Sequence, residues 1–280
     1  MEINKLLNQA YDVIIVAGQS NAEGHGLGAT DNPYEPNDKI HALINPFKYK
    51  YKYPENHVYV DMEPTNSAQI EIASERIEPK DGMPRGNFYL WFAKRYADEL
   101  LKEGRKVLLV ETAVGGTGFK GEHWGENDLM FKRMIEMADL SLSLNPENKI
   151  VAFLWHQGEH DAYENRTETV EYTGKFYQEK LENLINIVRG RYGEDLPFIC
   201  AGFTPGIFTH DFPKHCEVVI SKLVEITQKI NSAKFIDTTD LKSNSMEVEG
   251  SVDLYHFSRR SLERLGNRYF EAYKEILNKK

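Results

Sequence analysis

Residues 11–24 read YDVIIVAGQSNAEG, a short β-branched apolar run that glycine breaks and Gln19-Ser20-Asn21 follows at once. The apolar stretch predicts a strand buried on both faces, as in a parallel sheet, with Gly18 ending it. Ser20 then stands just past the carboxyl end of that strand, where open α/β sheets keep their sites. Alone, the serine reads better as a helix N-cap, with Glu23 three residues on completing a capping box.

Working outward, apolar runs predict further strands near 106–112, 149–155, 196–203 and 233–237, besides the first at 12–17. Helical periodicity predicts helices over 88–102, 129–144, 169–189, 216–230 and 258–277. This alternation is that of a doubly wound α/β sheet with helices on both faces. Residues 25–85 are the exception: rich in proline and aromatics, with brief strand signals such as KIHALI, they read as a long irregular insertion. No composition break divides the chain, so one domain over residues 1–280 is expected.

A serine hydroxyl is a poor nucleophile until a base, oriented by a carboxylate, takes its proton. Near the other end, residues 253–258 read DLYHFS, and Asp253 and His256 are spaced so that one turn presents both on one side. The plainer reading is that they decorate the start of the last helix, with Ser258 as its cap. Two further strand ends tip the balance. The run KVLLVETAV leads into Gly115-Gly116, and KIVAFLW leads into HQGEHD, residues 156–161. Acyl transfer needs donors aimed at a developing oxyanion, and the N–H groups of Ser20 and of Gly115 or Gly116, with the side-chain amide of Gln157, are suitable parts. Singly, each of these also reads as an ordinary turn or loop brace.

The ordered series GQSNAEG, AVGGTGF, WHQGEHD and DLYHFS resembles the SGNH hydrolase superfamily, and within it the sialate O-acetylesterase-like carbohydrate esterases of family 6. The resemblance spans the whole chain. It implies a three-layer α/β/α, flavodoxin-like fold with a five-stranded parallel sheet in the order 2-1-3-4-5. It also implies Ser20 as nucleophile, His256 as base, Asp253 as its carboxylate, and Gln157 with one of the two glycines as oxyanion donors beside the Ser20 N–H. Gln19, Asn21, Trp124 and Glu159 are candidates for support or substrate contact. Glu159 is expected chiefly as a structural hydrogen-bond acceptor, with a second carboxylate beside the histidine as the alternative, and Trp124 is a candidate sugar platform. The expected activity is removal of acetyl or short acyl groups from a carbohydrate, without cofactor or metal. A lipid or aryl esterase on the same triad, and a non-catalytic carbohydrate-binding protein, are the alternatives.

Two other patterns are set aside. His156, Glu159 and His160 satisfy H-x-x-E-H, but zinc would need them on a helix and a strand runs straight into the motif, with Gly158 in the middle. Residues 116–121 satisfy G-x-G-x-x-G, but a loop follows where the dinucleotide fingerprint opens a helix. The net charge of -9 argues against nucleic acid, and no basic amphipathic stretch suggests a membrane surface. The chain's opening residues show neither signal peptide nor membrane span, and Cys200 and Cys216 read as buried or partly buried free thiols, so a cytoplasmic protein is expected. The oligomeric state is not legible in the sequence.

Overall fold

The computed structural model describes residues 9–44, 48–52, 59–63, 69–167, 172–209 and 212–279. Its centre is β1 (Ala10–Gly18), whose nine residues are all buried. Ile14 and Val16 pack into an apolar layer on one side, and Ile15 and Ala17 into a second layer on the other. A strand covered on both faces needs no polar alternation, which is why the sequence reads as one apolar run.

Around β1 stand β2 (Ile40–Ile44), β3 (Lys48–Lys52), β4 (Tyr59–Glu63), β5 (Gln69–Ile72), β6 (Arg76–Ile77), β7 (Pro84–Arg85), β8 (Arg105–Glu111), β9 (Lys149–His156), β10 (Phe198–Ala201) and β11 (Ala233–Ile236). Seven of them form one sheet in the order β11-β10-β9-β1-β8-β2-β5. All its pairings are parallel except β2 with β5. The five strands expected from the sequence therefore occur in the expected order 2-1-3-4-5. The strand count is corrected: residues 25–85 supply β2 and an antiparallel β5 at the edge, besides the β3–β4 and β6–β7 pairs. Short strands with polar flanks give a weak periodic signal, so this stretch reads as irregular although part of it is sheet. The aromatic run 45–60 falls largely outside the described residues.

The helices are α1 (Ser20–Glu23), α2 (Tyr89–Glu99), α3 (Leu129–Ser143), α4 (Glu159–Glu164), α5 (Lys175–Tyr192), α6 (Pro213–Lys229), α7 (Asn244–Glu247) and α8 (Arg259–Leu277). Buried faces of α2 and α8 fill one layer, and those of α3, α5 and α6 the other. Pro213 opens α6 at its first turn, where its missing N–H has no intrahelical partner to lose. Helix α8 begins as read, with Ser258 accepting the N–H of Ser261 at 3.1 Å. Helix α4 is a difference from the sequence reading; the glycine before it, in a left-handed conformation at φ 140°, helps turn the chain from strand to helix within two residues. Cys200 and Cys216 are free and buried, as expected.

Helices α2 and α8 touch through Gly266, where a Cβ would lie 2.1 Å from the carbonyl oxygen of Phe88 and 2.6 Å from Trp91 Cβ. Gly190 in α5 has nothing within 4 Å of such an atom. We therefore expect Gly266→Ala to destabilise by about 3 kcal/mol, since backbone cannot yield to the added methyl. Gly190→Ala should be neutral or stabilise by up to about 1 kcal/mol. Urea unfolding of both variants checks this, and equal midpoints would contradict the packing described.

Candidate active site

The first three strand ends that matter lie side by side, because β8, β1 and β9 are neighbours in the sheet. Past β1 the chain passes Gly18, at φ 132°, where a Cβ would lie 2.0 Å from the carbonyl oxygen of His156. Only glycine lets β1 run this close to β9, and the Gln19 N–H then donates to that same oxygen at 2.9 Å. Gln19 Oε1 accepts the N–H of His160 at 3.0 Å, and the Gln157 amide approaches it at 3.3 Å. The loop after β1 and the loop after β9 are thus laced together.

Gln19, not Ser20, occupies the cap position of α1, so Ser20 is the first residue of a single helical turn. Glu23 does not close a capping box. It reaches outward, its Oε2 accepting the N–H of Gly115 at 2.9 Å and its Oε1 the guanidinium of Arg76 at 3.0 Å. Ser20 itself is nearly buried, and its Cβ faces Gly115. Among the described residues neither the Ser20 hydroxyl nor the N–H groups of Ser20 and Gly116 are engaged in a hydrogen bond.

The far end of the chain is bolted to this turn by Asn21. Its Nδ2 donates to the carbonyl of Tyr255 at 3.0 Å and its Oδ1 accepts the N–H of Phe257 at 3.1 Å, so the amide grips both neighbours of His256. The same Nδ2 donates to Glu159 Oε1 at 2.8 Å. Glu159 is therefore a buried acceptor, as expected. Burial pushes its carboxyl up, but the nearby His156 and the Asn21 bond outweigh that and hold it below the usual range. Its second neighbour, His156 Nε2 at 3.6 Å, is fully buried among Phe88, Phe257 and Tyr269.

His256 and Asp253 form the pair that their spacing suggested. His256 Nδ1 lies 2.8 Å from Asp253 Oδ2, and Asp253 Oδ1 accepts the N–H groups of Tyr255 and His256 at 3.0 and 3.1 Å. Asn244 adds a further donor to Oδ2 at 2.9 Å. Burial raises the Asp253 carboxyl, but the bond and charge of His256 and the bond from Asn244 prevail and lower it to about 2.

Beneath the glycine loop lies Asp161, which sequence reading did not single out. It accepts the N–H groups of Phe119 and Lys120, each at 3.0 Å, and the Gln157 amide at 2.7 Å. Burial dominates those donors and raises its pKa. The remaining hydrogen of the Gln157 amide is divided between Thr117 O at 3.1 Å and Gln19 Oε1 at 3.3 Å. Trp124 is corrected as a sugar platform: it is fully buried, edge-on to Trp155, and donates to Thr117 Oγ1 at 2.9 Å, so it props the loop from within. His160 turns toward Glu164 at 3.5 Å, away from any shared site with His156, and no group of three or more metal-ligating side chains gathers among the described residues. Nor is any described helix long and apolar enough to cross a membrane.

The profile of a carbohydrate esterase family, described as sialic acid-specific acetylesterase, matches residues 10–275. Among solved structures, NanS is similar at 18% identity and a TM-score of 0.71, covering 98% of this chain and 99% of that one. A protein of Arabidopsis thaliana is similar at 18% identity and a TM-score of 0.63, covering 96% and 98%. A carbohydrate acetylesterase from Xanthomonas citri is similar at 16% identity and a TM-score of 0.59, covering 96% of this chain and 57% of that one. At such identities the likeness establishes the fold. No curated protein sequence matches this one.

The Asp253 carboxylate is held below its unfolded value of 3.8, so its contribution to stability is complete above that pH and is lost as pH falls toward about 2. Across this window the native protein should lose on the order of 2 kcal/mol through this group. The loss should be absent in Asp253→Asn, and denaturant unfolding between pH 4 and 2 measures it. Parallel slopes for the two proteins would show the pair to be energetically idle.

Proposed function

We propose, for a chain that belongs to the sialic acid-specific acetylesterase family of carbohydrate esterases, that it hydrolyses acetyl esters of a carbohydrate through Ser20, His256 and Asp253. The observation that carries this reading is the grip of Asn21 on residues 255 and 257, which ties a histidine already paired with a carboxylate to the residue beside Ser20. Ser20 Oγ attacks the ester carbonyl while His256 Nε2 takes its proton. The same imidazolium then protonates the departing sugar oxygen, leaving an acetyl ester on Ser20. Water, deprotonated by His256, hydrolyses that ester. Asp253 holds the tautomer in which Nδ1 carries the hydrogen and stabilises the charge that forms. The serine–histidine hydrogen bond, unmade in the free protein, closes when substrate excludes water, as catalytic bonds commonly do.

The tetrahedral oxyanion takes the N–H groups of Ser20 and Gly116, both unengaged. Gly115 is the poorer choice of the glycine pair because its N–H serves Glu23. Gln157 is the third donor. Its short bond to Asp161 orients the amide, and the hydrogen divided between two longer contacts is the one free to turn toward the oxyanion at little cost. We read the whole as one esterase domain, in the cytoplasm in keeping with its buried unpaired thiols.

Acetate release from acetylated xylan oligosaccharides and O-acetyl sialic acids tests the activity and ranks the sugars. Ser20→Ala should fold normally and lose roughly 10⁴-fold in turnover. An organophosphonate should abolish activity and add its mass to the peptide bearing Ser20, whereas exhaustive chelation should leave activity unchanged. A Ser20→Ala protein keeping more than about a tenth of the wild-type rate would remove Ser20 from the mechanism. Gln157→Ala should lower kcat by about 10²-fold with little change in KM, because the oxyanion bond strengthens only in the transition state. Near-normal turnover in a folded Gln157→Glu enzyme would leave the oxyanion to the backbone alone.

A further inference from the structure

A second imidazole lies in the site, and the mechanism above gives it nothing to do. His25, five residues past Ser20, lays its ring on that of His256, with centroids 4.9 Å apart and planes 25° from parallel. Its Nε2 stands 3.2 Å from Glu23 Oε2, within ion-pair range though off the line of a hydrogen bond. Two imidazole–carboxylate pairs, Asp253–His256 and Glu23–His25, are therefore stacked face to face.

The stack is anchored at both ends. Asn244 Nδ2 donates to the carbonyl of His25 at 3.1 Å as well as to Asp253 Oδ2, its Oδ1 accepts the N–H of Leu27 at 2.8 Å, and its own N–H donates to the carbonyl of His256 at 2.8 Å. One buried asparagine thus sets the backbone of both histidines and the carboxylate between them. On the other side, Glu23 holds His25, Arg76 and the N–H of Gly115. Burial raises the Glu23 carboxyl, but His25, Arg76 and the Gly115 N–H more than offset this and keep it below the usual range, so it is charged at neutral pH.

Asp253 grips His256 at a single ring nitrogen. One hydrogen bond leaves an imidazole free to rock about that axis, and rocking swings Nε2 out of line with Ser20. A flat ring pressed on its face removes that freedom. A misplacement of an ångström at a reacting group can cost a hundredfold in rate, so such a restraint matters even though it touches no substrate.

We propose that His25 is a positioning residue for the general base: its ring clamps the face of His256, and Glu23 ties that clamp to the oxyanion loop. The inference rests on His256 being the base.

The test uses the full chain with His25→Ala, His25→Leu and His25→Phe, assayed on an aryl acetate. His25→Ala should lower kcat about tenfold and leave KM within about twofold, because the substrate contacts are untouched. His25→Phe restores a flat ring without the imidazole and should return kcat to within about threefold of wild type. His25→Leu fills the volume without a flat face and should behave as alanine does, which keeps the test decisive should His25→Ala fail to fold. The downfield proton resonance of His256 Nδ1–H should be sharp in wild type and His25→Phe and broadened in the other two. Wild-type kcat in His25→Ala or His25→Leu overturns the proposal, as does a loss that His25→Phe does not restore. Ser20→Ala and His256→Ala run alongside. If both stay active, the triad itself fails and the clamp with it; if both are inactive while the His25 variants match wild type, only the clamp fails.

Discussion

The side-chain amide of Asn21 joins two parts of the chain more than 230 residues apart, and the site depends on that joint. A buried amide is costly unless its donors and acceptor are satisfied, and here they are satisfied only if residues 255 and 257 lie where they do, with Glu159 behind. The requirement is geometric as well as energetic. An amide that must meet both the carbonyl of Tyr255 and the N–H of Phe257 fixes the backbone on either side of the residue between them, and that residue is His256.

The rest of the site follows from the sheet. Three adjacent parallel strands lead into Gly18, the Gly115-Gly116 turn and Gln157-Gly158, so Ser20, the two glycines and Gln157 are delivered to one rim by backbone pairing alone. Glycine at position 18 brings two of those ends within hydrogen-bonding distance. Buried carboxylates then hold the loops that the strands release: Asp161 gathers the N–H groups of Phe119 and Lys120, while Glu23 gathers that of Gly115. Each is itself costly to bury, which is why each is surrounded by donors.

Much of this was legible before any coordinates. The five strands, the pairing of Asp253 with His256, the serine cap of α8, the free thiols and the family all follow from local pattern and motif, while the strand order follows only from the family resemblance. What misled was also local. Trp124 follows the glycine turn and reads as an exposed platform, yet its indole is packed on Trp155 inside the protein; a loop residue's direction is set by what lies beneath the loop, and spacing carries no record of that. Glu23 matches a capping box by spacing, but Gly115 and Arg76 outcompete the helix end for its oxygens.

The sequence by itself determined a doubly wound sheet and four motif-bearing strand or helix ends, because periodicity and glycine placement act over a few residues and are written where they act. Tertiary packing sets which donors are already engaged, draws two strands of residues 25–85 into the sheet, and gathers Asn21, Asn244, Asp161 and His25 around Asp253, His256 and Gln157. These facts arise from side chains meeting across long stretches of chain, where hydrogen-bond satisfaction and burial select partners that no local pattern can name.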